Sequence, residues 1–411
     1  MNLLFVHQNF PAQFRHIATH FASQPANRVV AIGDAGNLGR VALAHPRVEI
    51  CPYPAPKPGG KATHPYLRGY EGAIRRAQEV VRVAAKLKAR GFRPELVVAH
   101  PGWGEALFLR EVFPDAKLVL YAEYYYHAAG ADVGFDPEFP ASVDDLFRVR
   151  IKNTTQWMSI ESADLLLAPT RWQKSRYPGL IQDRIQVAHD GIDSSAAAPS
   201  STAKVALKSP DLTLGAGDEI VTYVARNLEP YRGFHIFMRT LPAILERRPN
   251  ARVLIVGGDE VSYGLTLAQG RCWREILLKQ LEGKLDLERV HFLGRIPYAR
   301  YLSVLQISTV HVYLTYPFVV SWSLLEAMSA ACMVVASRTA PVEEVIKHDE
   351  NGWLVDFFDQ QAIADSVVAA LERRKQLAPL REAARQTVVD RFDLATRCLP
   401  RQVQLLETLA T

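Results

Sequence analysis

The sequence predicts an α/β protein made of two doubly wound domains facing an interdomain cleft. Each domain is a parallel sheet covered by helices on both faces. Three observations predict this. Short apolar, β-branched runs alternate with helical patterns along the whole chain. The runs form two series, separated by a stretch of different composition. The length, 411 residues, exceeds what one ordinary core serves.

The first series reads "LLFVH", "RVVAIG", "LVVAH", "KLVLYAEY", "LLLAPT" and "IQVAH". The second reads "EIVTYVA", "ARVLIVGG", "RVHFLG", "VHVYLTY", "CMVVAS" and "GWLVDF". Apolar runs without alternation belong to strands buried on both faces, the mark of parallel sheets. Between the series, "DSSAAAPSSTAKVALKSPDLTLGAGDE" is rich in Ser, Ala, Pro and Gly and lacks a strong period, which reads as a linker. The expected organisation is a first domain over 1–195, a linker over 196–218 and a second domain over 219–390. A final helical segment over 391–411 is placed to pack back on the first domain. Open sheets of this kind leave their ligand crevice at the carboxyl ends of the strands, so the strand ends are where a site is sought.

Composition narrows the class. Apolar residues at 48% and charged residues at 22% are those of a globular protein. A formal net charge of +5 suits an anionic ligand or membrane surface but not a dedicated nucleic-acid binder. The four cysteines, Cys51, Cys272, Cys332 and Cys398, form no CxxC pair and have no partnered His. They read as reduced thiols in a cytosolic protein, with no metal site. "MNLLFVHQNF" lacks the basic start and cleavage site of a signal peptide and reads as an immediate buried strand. The nearly uncharged stretch 301–337 is broken by Pro317 and many hydroxyl residues, so it reads as strand–helix–strand and not as a membrane span. The helical pattern over 67–90 carries seven basic residues on one side, a solvated face or a contact for anionic lipid.

Three glycine-rich turns are set aside. "GDAGNLG" has GxxGxxG spacing and not the dinucleotide fingerprint, "GGDE" follows a parallel-type strand, and the lone GxG of "GWGEA" is weak. No NAD site is expected. The informative positions lie at strand ends of the second half. In "VARNLEPYRGF", Arg226 ends a strand and Arg232 precedes Gly233 and a helix. Two guanidiniums there would clamp a diphosphate, since each binds phosphate oxygens bidentately. In "TYPFVVSWSLLEAM", Ser321 and Ser323 can cap a helix whose free amides form an anion site. Glu326, alone in an uncharged run, would repel a phosphate on those amides. It is expected to reach past it to neutral hydroxyls such as a ribose diol.

These residues carry a resemblance. "ARNLEPYRGF", "LIVGGD", "VHFLGRI", "SLLEAMSAACMVVAS", "EEVI" and "NGWLV" stand in the order and spacing of the donor domain of family-4 retaining glycosyltransferases, which have the two-Rossmann GT-B architecture. "APTRW" and "VAHDGID" resemble elements leading to that family's linker, and "LLFVHQNFPAQFRHIA" and "HPGWGE" look like a bacterial subgroup of it. The resemblance implies a nucleotide-diphosphate sugar donor and no essential metal or other cofactor. It implies donor contacts from Arg226, Arg232, Gly294, Arg295, the helix start at Ser323, Leu324 and Leu325, and Glu326 on the ribose. Arg232 stands where the family usually has Lys. The first Glu of the family's E-x7-E motif, which contacts the transferred sugar, is Phe318 here.

On the acceptor side, Glu123 falls near a family His that ends a strand. It is ranked first as the base, ahead of His100 and His127. Asn9, Phe10, Trp103, Asp132 and Asp136 are further candidates near an acceptor. The implied reaction is retaining transfer to a hydroxyl of a glycan or glycolipid, at the cytoplasmic face of a membrane or free in the cytoplasm. With no second nucleophilic carboxylate, same-face attack assisted by the leaving group is expected. A sugar-nucleotide epimerase of the same architecture, and a non-catalytic nucleotide-sugar or glycan-binding subunit, are the other classes considered.

Overall fold

The computed structural model describes residues 1–38, 45–208, 211–264, 267 and 270–410. Gly39 of the first glycine-rich turn and residues 209–210 of the expected linker lie outside them. The chain divides into two units, Met1–Gly191 with Ala395–Thr411, and Ile192–Leu394.

The first unit holds β1 (Asn2–Val6), β2 (Arg28–Asp34), β3 (Val48–Tyr53), β4 (Leu96–Ala99), β5 (Lys117–Tyr121), β6 (Leu165–Ala168) and β7 (Ile185–Val187). They pair in parallel in the order β3-β2-β1-β4-β5-β6-β7. The reversal between β1 and β4 is a switch point, and it places the ends of β1 and β4 side by side. Six of these strands match the first series. The seventh, β3, is an edge strand of half-exposed side chains containing Pro52, so it shows neither a continuous apolar run nor clean alternation.

The second unit holds the six parallel strands β10 (Ile220–Asn227), β11 (Arg252–Gly258), β12 (Val290–Gly294), β13 (Val310–Tyr313), β14 (Met333–Ser337) and β15 (Trp353–Val355). Their order is β12-β11-β10-β13-β14-β15, again with a switch point beside the first strand. The stretch read as a linker carries an antiparallel hairpin, β8 (Lys204–Lys208) and β9 (Asp211–Gly215). Val205, Leu207 and Leu214 alternate inward and pack with Ile220, Leu254, Val304 and Ile307. Polar, Pro- and Gly-containing flanks hide that alternation in the sequence.

The uncharged stretch is strand, helix and strand: β13, the helix Trp322–Ser329 and β14. Leu324, Leu325, Ala327 and Met328 on that helix are buried in the second unit's core. Each large apolar side chain so buried contributes about 1.5–3 kcal/mol. Together they outweigh the cost of burying one carboxylate that keeps its hydrogen bonds. The last helix, Leu399–Ala410, lays Leu406 into the core of the first unit, with Leu399, Val403 and Leu409 partly buried beside it.

Candidate functional site

In the second unit the strand ends converge on Arg232. Its backbone sits in the 3-10 turn Pro230–Arg232 and is fixed by Tyr223, whose hydroxyl donates to the Arg232 carbonyl at 2.7 Å. Gly233 follows at φ +71°, and a Cβ there would stand 2.3 Å from Leu314 Cβ. Only glycine fits both conditions. The Arg232 side chain is 7% exposed. Its Nη1 donates to Thr315 Oγ1 at 2.8 Å and to the Val319 carbonyl at 2.9 Å, and reaches Tyr313 Oη at 3.4 Å. Its guanidinium carbon lies 5.3 Å from the Tyr263 ring centroid and 5.8 Å from that of Phe318. Among the described residues no carboxylate forms an ion pair with it. Arg226, exposed near the end of β10, likewise has no hydrogen-bond or ion-pair partner among the described residues.

Phe318 is buried and meets Tyr231 and Tyr263 edge to face, with centroids at 5.5 and 5.0 Å. Where a carboxylate was expected from the resemblance, the wall beside Arg232 is therefore aromatic. Tyr263 belongs to a turn held from below. Buried Glu229 accepts from the backbone amides of Ser262, Tyr263 and Gly264 at 3.0 to 3.3 Å.

Gly294 ends β12 at φ +64° with open space around it. Arg295 next to it donates to Asn227 Oδ1 at 2.9 Å and pairs with Glu260 of the "GGDE" turn at 2.7 Å. Ser321 caps the helix Trp322–Ser329, its hydroxyl accepting from the Ser323 amide at 3.3 Å. The side chains of Ser323, Leu324 and Leu325 are buried, so the helix start offers a ligand its backbone and not these side chains. Glu326 sits in the second turn of that helix, slightly later than the sequence suggested. Tyr298 donates to its Oε1 at 2.8 Å and Tyr301 to its Oε2 at 2.6 Å. Burial raises the Glu326 carboxyl above its ordinary value, and the two phenols oppose that rise. Neither tyrosine was singled out in the sequence, although their spacing of three on one helix puts both on one face.

In the first unit the structure brings together two of the three base candidates. The His100 Nδ1 accepts from the Gly102 amide at 3.1 Å, which leaves the ring proton on Nε2. That Nε2–H faces Glu123 Oε2 at 3.1 Å, and Gln13 donates to Glu123 Oε1 at 2.9 Å. Trp103 stacks on His100 with centroids 4.4 Å apart. His7 stands 5.1 Å from His100 and accepts from the Asn9 amide at 2.9 Å. Gln13 and His7 were missed, Gln13 being paired across 110 residues.

Of the remaining candidates, Asn9 borders this cluster through His7. His127 Nε2 donates to the Arg176 carbonyl at 2.5 Å. Phe10 is core, packed against Phe5. Asp132 is buried and accepts from the Tyr124 hydroxyl at 2.7 Å, and buried Asp136 accepts from the Glu138 amide at 2.9 Å. Asn9 is half-buried beside His7.

The basic helix Arg68–Ala89 is less free than its sequence suggests. Arg75 and Arg82 pair with Glu71 and Glu79, and Arg68, Arg76 and Lys88 donate to backbone carbonyls. Among the described residues no helix is long and apolar enough to cross a membrane, and no cluster of three or more His, Cys, Asp or Glu could hold a metal.

Comparison with known proteins places these elements. The description "Glycosyl transferase family 4 group" matches residues 25–197, and "Glycosyl transferases group 1" matches residues 207–387. The chain is 29% identical over 247 residues to a phosphatidyl-myo-inositol mannosyltransferase of Mycobacterium leprae, covering 59% of this chain and 57% of that protein. It is 24% identical over 245 residues to a GDP-mannose-dependent alpha-(1-6)-phosphatidylinositol monomannoside mannosyltransferase of Mycolicibacterium smegmatis, covering 57% of this chain and 60% of the other. The chain thus spans under two thirds of the length of these relatives. Among solved structures, sucrose-phosphate synthase from Thermosynechococcus elongatus superposes with a TM-score of 0.72 at 19% identity, covering 100% and 99% of the two chains. The Anabaena HepE protein in complex with UDP-glucose superposes with a TM-score of 0.68 at 17% identity, covering 100% and 99%.

Proposed function

The chain belongs to the glycosyltransferases of family-4 type with GT-B architecture, and from that premise we propose that it moves a sugar from a nucleotide-diphosphate donor to a hydroxyl of a glycan or glycolipid acceptor. The transfer is read as retaining and independent of a metal or other cofactor, in polysaccharide or surface-glycan synthesis. The observation that carries the reading is Arg232, a buried guanidinium surrounded by neutral oxygens and rings. A buried cation lacking a counter-charge is costly, and an anionic ligand would remove that cost. The names of the two mycobacterial relatives and the UDP-glucose held by HepE support a nucleotide sugar and a lipid-linked acceptor by analogy. Such an acceptor would bring the chain from the cytoplasm to an anionic membrane face.

In this reading the difficult event is departure of the diphosphate. Its growing charge meets Arg232, Arg226 and the amides at the start of the helix Trp322–Ser329. Glu326 accepts the ribose hydroxyls. Glu123 takes the acceptor proton, while His100 Nε2–H and the Gln13 amide hold its two oxygens in place. Phe318 supplies no nucleophile, which favours same-face attack assisted by the leaving group over a covalent intermediate. A thermal-shift screen of nucleoside diphosphates and their sugars tests the reading. A ligand at a hundred times its Kd stabilises the fold by about 2.7 kcal/mol, so the donor stands out. No rise with any of them would reject it.

A further inference from the structure

The helix Arg68–Ala89 meets the turn that follows β4 at two points. At Gly104, φ is +110° and a Cβ would collide with the Ala73 carbonyl, so glycine lets the helix backbone lie directly on the turn. Three residues on, Arg76 Nη1 donates to the Trp103 carbonyl at 3.0 Å. Arg76 Nε lies 3.7 Å from Oε1 of Glu105, a fully buried side chain that also accepts from the Tyr53 hydroxyl at 3.0 Å. Burial raises the Glu105 carboxyl, and the Arg76 charge opposes that rise. An ion pair so placed adds little to stability, because both charges give up most of their water. It does hold the guanidinium over the Trp103 carbonyl.

The clamped turn touches His100 twice. Its Gly102 amide donates to Nδ1 at 3.1 Å, and the Trp103 indole covers the imidazole face with centroids 4.4 Å apart. A Cβ on Gly102 would stand 2.8 Å from His100 Cε1, so the turn backbone already lies against the ring. These contacts set the tautomer and the plane of His100, and so aim its Nε2–H at Glu123. We propose that Arg76, held by Glu105, is a positioning residue for the acceptor-side base, acting through the Trp103 turn and His100 on Glu123. The proposal rests on the reading of Glu123 as that base. Arg76 contributes geometry to the first unit alone, so its loss should slow turnover and leave donor binding as it is.

The test is a mutant cycle on the full chain. Nucleoside diphosphate release is measured from UDP-glucose and GDP-mannose, with water or phosphatidylinositol vesicles as acceptor. Arg76→Met is expected to lower kcat about tenfold to a hundredfold, the scale on which a misplacement of about 1 Å is felt, with donor KM unchanged. In Glu123→Gln the same substitution should remove less than about threefold more, since groups that act as one unit are not additive. Nitrogen-15 spectra of labelled histidines, with His100 assigned by His100→Gln, should show the Nε2–H tautomer in the parent and an averaged signal in Arg76→Met. Where Arg76→Met unfolds with Glu105 left uncompensated, Arg76→Met with Glu105→Gln removes both charges and carries the same expectations. An unchanged His100 signal, or a kcat within about threefold of the parent, overturns the proposal and leaves the base standing. So does an equal loss with and without Glu123→Gln, or failure of both variants to fold. Turnover by Glu123→Gln within about tenfold of the parent rejects the base reading, and the proposal with it. Absence of release by the parent from either donor does the same.

Discussion

Arg232→Met separates charge from packing. Methionine keeps an unbranched, flexible stem between Tyr263 and Phe318 but removes the guanidinium. On the stability side, Thr315 Oγ1 and the Val319 carbonyl each lose a donor, at about 1–3 kcal/mol for each one left unsatisfied. Against this, the variant no longer buries a cation whose partners are neutral, a relief of several kcal/mol. These contributions nearly cancel, so a net change in stability within about 2 kcal/mol is expected. On the functional side the proposed reading has nothing to cancel, because the diphosphate would lose a charge-stabilising donor. Loss of one such donor costs about a hundredfold to a thousandfold in turnover. The assay is release of nucleoside diphosphate from the donor found by thermal shift, with urea denaturation run in parallel. Turnover within tenfold of the parent would refute the role in the leaving group's departure. A collapse in stability equal to the loss of activity would make Arg232 a structural residue.

Three further outcomes are expected. Glu123→Gln keeps the size of the side chain and one of its two accepted hydrogen bonds, from His100 or from Gln13, but removes the proposed base, so turnover should fall about a hundredfold or more. Donor affinity measured by calorimetry should stay the same, and a matching loss of donor affinity would contradict the assignment. For Glu326, burial raises the folded-state value, so its ionisation destabilises the fold. Its favourable contribution is complete below the ordinary carboxylate value and is lost as pH rises through the raised one. Glu326→Gln should therefore gain stability relative to the parent between acid and neutral pH, and should weaken nucleotide binding. A flat difference in melting temperature across that window would contradict the burial argument. Gly233→Ala places a Cβ against Leu314 at a positive φ and should cost at least about 2 kcal/mol in denaturant unfolding, since backbone and neighbour must both give. A stability change under 0.5 kcal/mol would show that the turn can relax.

The parts legible in the sequence share a physical reason. Runs such as "LVVAH" and "CMVVAS" are buried on both faces, so nearly every residue in them had to be apolar. Arg226, Arg232 and Glu326 could be singled out as candidates because Arg226 lies at the end of a strand and the other two sit in the turn or helix that follows one, where the local pattern sets the position. The rest required knowledge of which elements become neighbours. Tyr298 and Tyr301 reach Glu326 from another helix, 28 and 25 residues away. Glu123 gains Gln13 only because β1 and β5 flank β4 in one sheet. The role of Glu229 depends on a turn whose amides converge on it, a geometry that no residue pattern announces.

The first unit is not one continuous piece of chain, since Ala395–Thr411 completes it. During synthesis, residues 1–191 emerge before the last helix, whose Leu406 belongs to the same core cluster as Leu3, Phe5 and Phe21. The second unit is contiguous and can close while the first still exposes that apolar face. A ribosome pausing late in the message would hold a nascent chain with a finished second unit and an unsealed first one. Such a species exposes apolar surface that the mature first unit buries.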